Sequence, residues 1–474
     1  MRSTKIVATL GPATDSSESL RRILEAGAEV LRLNASHGTQ AEHRARVKRV
    51  RDIADEMGVT IAILMDLQGP KIRLGEFEGG GCKLKTNSTF TITTRDTPGN
   101  ADCASTGYAK LAEDVKPGDL VLIADGTVRL QVLETDGVSA RCRVLAGGRV
   151  SDRKGINLPG VDVSAPSLTE KDIADLAFAI DLQVDFLALS FVRKAEDVNC
   201  LRQALHDHSA SIPIIAKIEK RAGWESLDAI LSQSEGVMVA RGDLGVEMAL
   251  EEVPHIQKAI IERARRSGKL VITATQMLES MIENPTPTRA EVSDVANAIY
   301  DGTDAIMLSG ETSVGKYPAE AAKMMARIAE EAESSRQFRA YRDLPLGAAP
   351  VYPEIVAAAA CQAAGVAGVA AIAVFTSSGS SARLISRLRP PVPIYAFTTS
   401  CKVAHELSLS YGVHPVLAPQ VQSTDLMLAQ VERALLERGW LKRGDGVVAI
   451  AGQPIGHSGS TNLLKLLRLG ETLG

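Results

Sequence analysis

The residues best suited to chemistry are Lys217 and Glu219, two positions apart in the apolar run Ile214-Ile-Ala-Lys-Ile-Glu219. In a strand, side chains two residues apart leave on the same face. A second apolar run ends in Arg241 and Asp243. Buried charges are costly unless they pair with one another or with a bound ion. These residues therefore predict a site for a cation and a phosphate, with a structural ion-pair cluster as the alternative.

The elements that position these charges are eight short β-branched runs that alternate with helical patterns. The predicted strands cover residues 5–9, 29–33, 60–65, 185–190, 213–219, 236–240, 269–273 and 304–308. Helical patterns include residues 169–180, 253–266 and 290–300, and residues 167–170 predict a capping box for the first. Eight β-then-α units are what a (β/α)8 TIM barrel requires.

Polar residues recur at the carboxyl ends of these predicted strands, which form the catalytic face of such a barrel. They are Arg32, Asn34, Ser36, Asp66, Ser190, Lys217, Glu219, Arg241, Asp243, Thr275, Ser309 and Glu311. One charged strand end is weak support for a site. So many at one mouth predict an active site.

Two further domains are predicted around a barrel formed by residues 1–70 and 167–340. Residues 71–166 are rich in Thr, Val and Gly, and their short strand-like pieces indicate an inserted small β-barrel domain that could act as a lid. Strand-like runs at 371–375, 393–397, 413–417 and 446–451 alternate with helical patterns. They predict a C-terminal α/β domain over residues 345–474 with a mostly parallel sheet.

The composition of the 474 residues excludes several classes of protein. The net charge is −4 and Lys and Arg are dispersed, which argues against a nucleic-acid partner. Six scattered cysteines without a C-x-x-C pair predict free thiols in a reducing cytoplasm. The apolar segment 356–375 contains Gly365 and Gly368, so it predicts a helix, a turn and a strand rather than a membrane span. We therefore expect a cytoplasmic protein.

Several blocks, in order along nearly the whole chain, resemble the pyruvate kinase family. They are Thr4-Lys-Ile-Val-Ala-Thr-Leu-Gly-Pro12, Arg32-Leu-Asn-Ala-Ser-His-Gly38, Asp66-Leu-Gln-Gly-Pro-Lys-Ile-Arg73, Ile215-Ala-Lys-Ile-Glu219, Ala240-Arg-Gly-Asp-Leu-Gly245, Thr273-Ala-Thr-Gln-Met-Leu-Glu-Ser-Met281, Asn284-Pro-Thr-Pro-Thr-Arg289, Asp301-Gly-Thr-Asp304 and Leu308-Ser-Gly-Glu-Thr312. The resemblance implies phosphoryl transfer from phosphoenolpyruvate to ADP, giving pyruvate and ATP in the last step of glycolysis.

The resemblance also implies roles for individual residues. Glu219 and Asp243 are expected to hold Mg²⁺, which Mn²⁺ could replace. Lys217 and Arg32 would stabilise the phosphoryl group. The substrate carboxylate would be met by Thr275 and by the backbone N–H groups of Gly242 and Asp243, and Thr275 would belong to a proton path through water. The expected nucleotide contacts are Asn34, Ser36, His37, Arg73 and, from the lid, Lys154.

One block departs from the common family pattern. Members that need K⁺ carry Asp-Thr-Lys-Gly-Pro-Glu, whereas this chain reads Asp66-Leu-Gln-Gly-Pro-Lys71. By resemblance, the monovalent-cation position would be formed by Asn34, Ser36, Asp66 and Leu67, and Lys71 would supply its positive charge permanently. We therefore expect an enzyme of the K⁺-independent subgroup. The alternative is a solvated lysine at the hinge of the lid.

A hydroxyl-rich turn in the C-terminal domain predicts a phosphate cradle at the start of a helix over residues 382–388. The turn consists of Thr376, Ser377, Ser378, Gly379, Ser380 and Ser381, and residues 452–461 could close over it. By resemblance it would bind an allosteric effector, AMP or a sugar phosphate, in a homotetramer. Ser and Gly that only build turns and caps are the alternative.

Two other functions remain open on the residues. A Mg²⁺-dependent barrel lyase or aldolase acting on a pyruvate enolate would also need a Glu/Asp metal pair and an arginine, although it has no use for a nucleotide lid. A non-catalytic paralogue could sense phosphorylated metabolites through the C-terminal domain. The presence of Arg32, Lys217, Glu219, Asp243 and Thr275 counts against that reading.

Overall fold

The predicted eight-stranded barrel is confirmed in the computed structural model, which describes residues 2–335, 338, 350–454 and 461–471. The eight parallel strands close into a ring, with the first strand between the second and the eighth. Their bounds are Lys5–Thr9, Val30–Asn34, Ala62–Asp66, Phe186–Leu189, Ile214–Ile218, Gly236–Ala240, Leu270–Ala274 and Ala305–Leu308. Most of their residues are fully buried, because the apolar runs face either the ring interior or the surrounding helices.

Helices follow the barrel strands, as the alternating pattern predicts. They are Ser17–Glu25, Gln40–Met57, Glu170–Asp181, Ala195–Asp207, Arg221–Glu225, Leu227–Gln233, Arg241–Glu247, Val253–Arg266, Arg289–Asp301, Gly310–Ser313 and Pro318–Ser334. The predicted capping box at residues 167–170 is wrong by two positions. The Asp172 carboxylate accepts the Thr169 N–H at 2.9 Å, and Thr169 Oγ1 accepts the Asp172 N–H at 3.1 Å, since the helix begins at Glu170.

The inserted segment consists mainly of strands around an apolar core of its own. Its elements are Gly81–Leu84, Thr89–Thr93, Cys103–Ser105, the short helix Leu111–Asp114, Leu120–Ile123, Val128–Thr135, Ser139–Ala146, Gly148–Ser151 and Ile156–Asn157. Six of the strands form one sheet, and Gly81–Leu84 pairs with Gly148–Ser151 as a separate two-stranded ribbon.

The C-terminal domain has a five-stranded sheet between helices. The strands are Ala371–Phe375, Ile394–Thr398, Val413–Leu417, Gly446–Gly452 and Thr461–Arg468, and the helices are Tyr352–Ala367, Ser380–Arg387, Cys401–Leu407 and Thr424–Glu437. The first four strands are parallel and the last pairs antiparallel at one edge, which confirms a mostly parallel sheet. The predicted helix, turn and strand within 356–375 are confirmed, and no helix in the described part of the chain is long and apolar enough to span a membrane.

Packing divides the chain into two compact units. One contains residues 1–65, 179–187 and 261–474, and the other contains residues 66–178 and 188–260. Within the first unit, the buried Lys5 Nζ donates to the Val413 carbonyl of the C-terminal domain at 2.8 Å. All six cysteines are free thiols, as predicted.

Candidate active site

A buried ammonium at the end of the fifth barrel strand is the centre of the candidate site. Lys217 Nζ lies 2.9 Å from Glu219 Oε1 and 3.3 Å from Asp66 Oδ1, and it donates to Ser190 Oγ at 2.8 Å. The side chains of Asp66 and Glu219 are 2% and 1% exposed, whereas that of Lys217 is 12% exposed. We call Lys217, Asp66, Glu219 and Ser190 the lysine cluster. Two buried carboxylates therefore converge on one ammonium within this cluster.

Glu219 is held in place by a backbone donor and by the lysine ammonium. Its Oε2 accepts the Phe191 N–H at 2.7 Å. Its buried Oε1 lies 2.9 Å from Lys217 Nζ, within the range of a charge-assisted hydrogen bond. Burial raises the pKa of Glu219, the Lys217 ammonium opposes this shift, and the Asp243 carboxylate adds to it. A second cation between the two carboxylates would remove the electrostatic penalty that both carry.

Asp243 reaches this region because the sixth strand passes directly into the helix Arg241–Glu247. Gly242 and Asp243 lie in its first turn, where backbone N–H groups point out of the helix. Among the described residues, no cluster of three or more His, Cys, Asp or Glu side chains is suited to a metal ion. Two carboxylates nevertheless fit Mg²⁺, since that ion keeps several water or substrate oxygens as ligands.

The same helix is anchored at its other end by Glu247. The Glu247 side chain is 3% exposed and pairs with Lys220 Nζ at 2.9 Å. Asn157 of the inserted segment donates to the same oxygen, Oε1, at 3.4 Å. Because Lys220 directly follows Glu219, Glu247 fixes the helix that carries Asp243 against the strand that carries Glu219. It also joins both to the inserted segment.

The loop after Asp66 packs tightly against the lysine cluster. Gly69 has φ +67°, and a Cβ there would lie 3.0 Å from Ser190 Cβ. Lys71, two residues further on, is half-buried and lines a cavity of about 30 Å³ together with Asn157, Lys220 and eight other residues. Lys71 pairs with no carboxylate among the described residues, Asp66 included. Lys71 therefore forms no ion pair with a described carboxylate, and the residue is only partly exposed.

Two of the predicted nucleotide contacts are brought together by backbone pairing. Arg73 forms an antiparallel bridge with Gly155, and the Leu74 N–H donates to the Lys154 carbonyl at 2.8 Å. Arg73 also donates from Nη1 to the Arg153 carbonyl at 3.1 Å, and Lys154 is exposed. This pairing therefore fixes the backbone at Arg73 beside the backbone at Lys154 within the inserted segment.

The remaining predicted site residues lie in the other compact unit. Arg32 is buried and donates from Nη1 to Thr9 Oγ1 at 3.1 Å, across the paired first and second strands. At the end of the second strand Asn34 Oδ1 accepts the Ser36 N–H at 3.1 Å, and the Asn34 carbonyl accepts the His37 N–H at 3.2 Å. The turn thus groups Asn34, Ser36 and the exposed His37.

Thr275 follows the seventh strand in an unusual backbone conformation. Its φ is +69° and that of Gln276 is +54°, in the left-handed region that β-branched residues rarely enter. The loop is held by the fully buried Glu311, which accepts the Leu278 N–H at 3.0 Å and the Ser309 N–H at 2.7 Å. Such a conformation costs about 1–3 kcal/mol per residue and is typical of functional sites.

The hydroxyl-rich turn of the C-terminal domain opens the helix Ser380–Arg387, two residues earlier than predicted. Thr376 Oγ1 accepts the Gly379 N–H at 2.9 Å, and the hydroxyl groups of Ser381 and Thr461 lie 2.5 Å apart. Residues 455–460, part of the segment predicted to close over this turn, lie outside the described residues.

The sequence places Ser190 and Glu311 at strand ends without assigning their roles, which the structure shows. The contributions of the Phe191 N–H and of Glu247 were missed at the sequence level. Glu247 gives no signal of its role in the sequence, because a glutamate near the end of a helix normally faces solvent.

The comparisons with known proteins agree over almost the whole chain. The family model described as pyruvate kinase, barrel domain, matches residues 1–322, and the one described as pyruvate kinase, alpha/beta domain, matches residues 354–467. The pyruvate kinase of Mycobacterium intracellulare is 48% identical over 468 residues, 98% of each chain. That of Corynebacterium glutamicum is 46% identical over 470 residues, 99% of this chain and 98% of the relative. The crystal structure of a pyruvate kinase from Cryptosporidium parvum has a TM-score of 0.91 at 37% identity and covers 99% of this chain and 96% of that one.

Proposed function

This chain belongs to the pyruvate kinase family and transfers a phosphoryl group from phosphoenolpyruvate to ADP, and we propose that the lysine cluster carries the transfer. The observation that supports this is the Lys217 ammonium between the buried carboxylates of Asp66 and Glu219, with the Asp243 carboxylate close enough to raise the pKa of Glu219. Phosphoryl transfer needs positioning and charge neutralisation more than covalent chemistry. A fixed ammonium beside a divalent-cation site supplies both.

Mg²⁺ is the cofactor of the family, and its ligands here would be Glu219 and Asp243. When bound, it would supply positive charge that neutralises the charge developing on the phosphoryl group. The chain's own contribution is to hold the two carboxylates. The Phe191 N–H orients Glu219, and Glu247 anchors the helix that begins beside Asp243.

Substrate positioning would fall to residues at neighbouring strand ends. The planar guanidinium of Arg32 suits phosphate oxygens, and Thr9 Oγ1 fixes one of its nitrogens at 3.1 Å. The N–H groups of Gly242 and Asp243 would bind the substrate carboxylate. Thr275 would contact it too and deliver a proton through water, since a Thr hydroxyl is a poor acid by itself. The nucleotide would be held by Asn34, Ser36, His37, Arg73 and Lys154.

The finer proposal on cofactors is that K⁺ is not required, because Lys71 replaces the family's acidic residue with a permanent positive charge. Its half-buried, carboxylate-free surroundings are consistent with a role other than a solvated surface lysine. The family usually uses K⁺, so the proposal concerns this chain's own Leu67, Gln68 and Lys71.

One assay tests the reaction and the K⁺ proposal together. Pyruvate formation is followed with phosphoenolpyruvate, ADP and Mg²⁺, with all K⁺ and Na⁺ replaced by a bulky organic cation. Full turnover supports both, whereas turnover only after K⁺ is added retains the kinase and rejects the role of Lys71. The variant Lys71→Met should then regain a K⁺ requirement, with Lys85→Met, a lysine of the same inserted segment, as the control. No turnover in any condition would favour the non-catalytic reading.

Three further proposals rest on the family alone or on weaker observations. The turn at residues 376–381 would bind a phosphorylated effector such as AMP or a sugar phosphate, supported by its hydroxyl groups at the start of a helix. The assembly would be a homotetramer. The protein would act in the cytoplasm. Sedimentation with and without candidate effectors, alongside the activity assay, tests the first two.

A further inference from the structure

Three arginine side chains converge where the amino ends of the last two barrel strands meet the C-terminal domain. Arg265 Nη1 lies 2.7 Å from the position that a Cβ at Gly302 would take, and Arg389 Nη2 donates to the Gly302 carbonyl at 2.7 Å. Arg387 Nη1 lies 3.7 Å from the corresponding position at Gly268, three residues after Arg265. We call Arg265, Arg387 and Arg389 the arginine cluster.

The carboxylates that pair with these arginines carry less charge than the three guanidinium groups. Asp304 pairs with Arg389 at 2.8 Å and Glu354 with Arg387 at 3.5 Å, so two carboxylates face three guanidinium groups and one positive charge is in surplus. Arg265 has no ion-pair partner among the described residues. Burial, followed by the Arg389 charge, lowers the pKa of Arg265 to about 10. The protein therefore concentrates cations here at an electrostatic cost.

Several nitrogens of these guanidinium groups are buried hydrogen-bond donors without an acceptor in the described part of the chain. Five nitrogens have no acceptor among the described residues: Nε and Nη2 of Arg265, Nε of Arg387, and Nε and Nη1 of Arg389. The Arg389 side chain is only 3% exposed, and its Cζ lies 3.8 Å from the centre of the Tyr411 ring. Buried donors without acceptors are strongly unfavourable, so they indicate a ligand that accepts hydrogen bonds.

The backbone holds Arg389 in a strained conformation. The helix Ser380–Arg387 ends two residues earlier, and Arg389 has φ +52°. Glycine or asparagine is the usual residue at such a left-handed position after a helix. An arginine held there is directed inward against Asp304 and Tyr411 rather than outward to solvent. Strain of this kind is characteristic of ligand-binding positions.

We propose that the arginine cluster binds a phosphate group, either inorganic phosphate or the phosphate of a small metabolite. Planar guanidinium forks match phosphate oxygens in pairs, and a phosphate dianion would more than offset the surplus charge. Arg387 is 18% exposed, which gives the anion a route from solvent. The site shares no residue with the lysine cluster or with the 376–381 turn. Its occupation would tie the barrel helix Val253–Arg266 to the C-terminal domain and stabilise their junction.

The test uses the full chain with Arg265→Gln and the matched control Arg266→Gln. Arg266 is the next residue and removes the same charge, but it is 65% exposed and pairs with Glu262 on its own helix. The unfolding midpoint is measured in rising inorganic phosphate at constant ionic strength, with chloride as the balancing anion. The phosphate concentration needed for a given small rise of the midpoint should be about tenfold higher in Arg265→Gln, the loss expected for one charge-assisted donor set, and unchanged in Arg266→Gln.

A second measurement locates the anion directly, because phosphate could also bind at the two other sites. Crystals soaked in selenate, a tetrahedral analogue, should show anomalous density among the three guanidinium groups in the wild type and none there in Arg265→Gln. A titration with glycerol phosphate separates the two sources: a stronger response than to inorganic phosphate assigns the site to metabolites. An equal response of all three proteins to phosphate, with no selenate at the cluster, overturns the proposal.

Discussion

The lysine cluster and the arginine cluster are both groups of buried charges at strand ends, but they concentrate charges of opposite sign. At the carboxyl ends, the carboxylates of Asp66 and Glu219 converge on one ammonium. At the amino ends, three guanidinium groups have two carboxylate partners among the described residues, Asp304 and Glu354. Concentrated buried charges of one sign favour a ligand of the other sign. We infer that the predominant charge identifies the class of ligand: a divalent cation in the first cluster and an oxyanion in the second.

The largest predicted effect, and the strongest test of this comparison, is that of replacing Lys217. Replacing it by methionine removes an ammonium that contacts two buried carboxylates, and with it the charge that would stabilise the phosphoryl group. We expect kcat to fall by about 10³-fold or more, since removal of one preorganised donor already costs 10²–10³. The rate of pyruvate formation measures this. Lys48→Met, at a 76% exposed side chain, is the control and should keep full activity. A loss below about tenfold would reject the proposed role.

Removal of the carboxylate that pairs with Arg389 of the arginine cluster should have the next largest effect. In Asp304→Asn, Arg389 loses the buried ion-pair partner at 2.8 Å, and the free energy of unfolding should fall by about 3 kcal/mol. Urea denaturation at neutral pH measures the change. Asp52→Asn, at an exposed pair with Lys48, should change stability by less than about 0.5 kcal/mol. If the two variants were equally stable, the charges at the amino ends would not be effectively buried.

The pH dependence of Mg²⁺ binding distinguishes the two clusters further. Because the pKa of Glu219 is raised in the folded state, its contribution to stability is present below the unfolded pKa of about 4.3 and is lost as pH rises through the folded pKa. Bound Mg²⁺ offsets the buried negative charge of Glu219, and this charge is present only when the carboxylate is ionised. It should therefore raise the unfolding midpoint by about 3 °C at pH 8 and by less at pH 5.

The control for this measurement is Glu219→Gln, which removes the charge but keeps the shape of the side chain. It should lose most of the Mg²⁺-dependent rise at pH 8 without unfolding the protein. A rise of the same size at both pH values, or in both proteins, would place the cation elsewhere.

The smallest of the predicted effects concerns Glu247, which supports the lysine cluster without belonging to it. Glu247→Gln removes the 2.9 Å ion pair with Lys220 that fixes the helix carrying Asp243. We expect kcat/KM to fall by about tenfold, mainly through a higher Mg²⁺ requirement, as is usual for residues that orient metal ligands. Glu252→Gln breaks an exposed pair with Arg221 and should have no measurable effect. Restoration of Glu247→Gln activity by excess Mg²⁺ would identify a positioning role.

The barrel and the lysine cluster could largely be predicted from the sequence because their signals are local. An apolar run that ends in charge marks both the strand and the site, so Lys217 and Glu219 are visible within six residues. The eight strands were accordingly located with small errors, such as 60–65 for the observed Ala62–Asp66.

The arginine cluster could not be predicted, since its members come from segments more than one hundred residues apart. Arg265 and Arg389 each resemble a solvated helix-end arginine, and only tertiary packing brings them together. The antiparallel edge strand Thr461–Arg468 was missed for a related reason. Its run of leucines with scattered Lys and Arg does not alternate strictly, and its partner, Gly446–Gly452, determines its structure.

The left-handed backbone at Thr275 and Gln276 has a consequence for engineering the stability of this chain. Glycine would occupy both φ angles without steric cost, so Thr275→Gly and Gln276→Gly are conformationally the cheapest replacements in the loop. A selection for heat resistance alone would therefore favour changes at the position whose hydroxyl we assign to the substrate. Thermostability and turnover compete at this loop, and a screen that does not select for both should produce robust but inactive proteins.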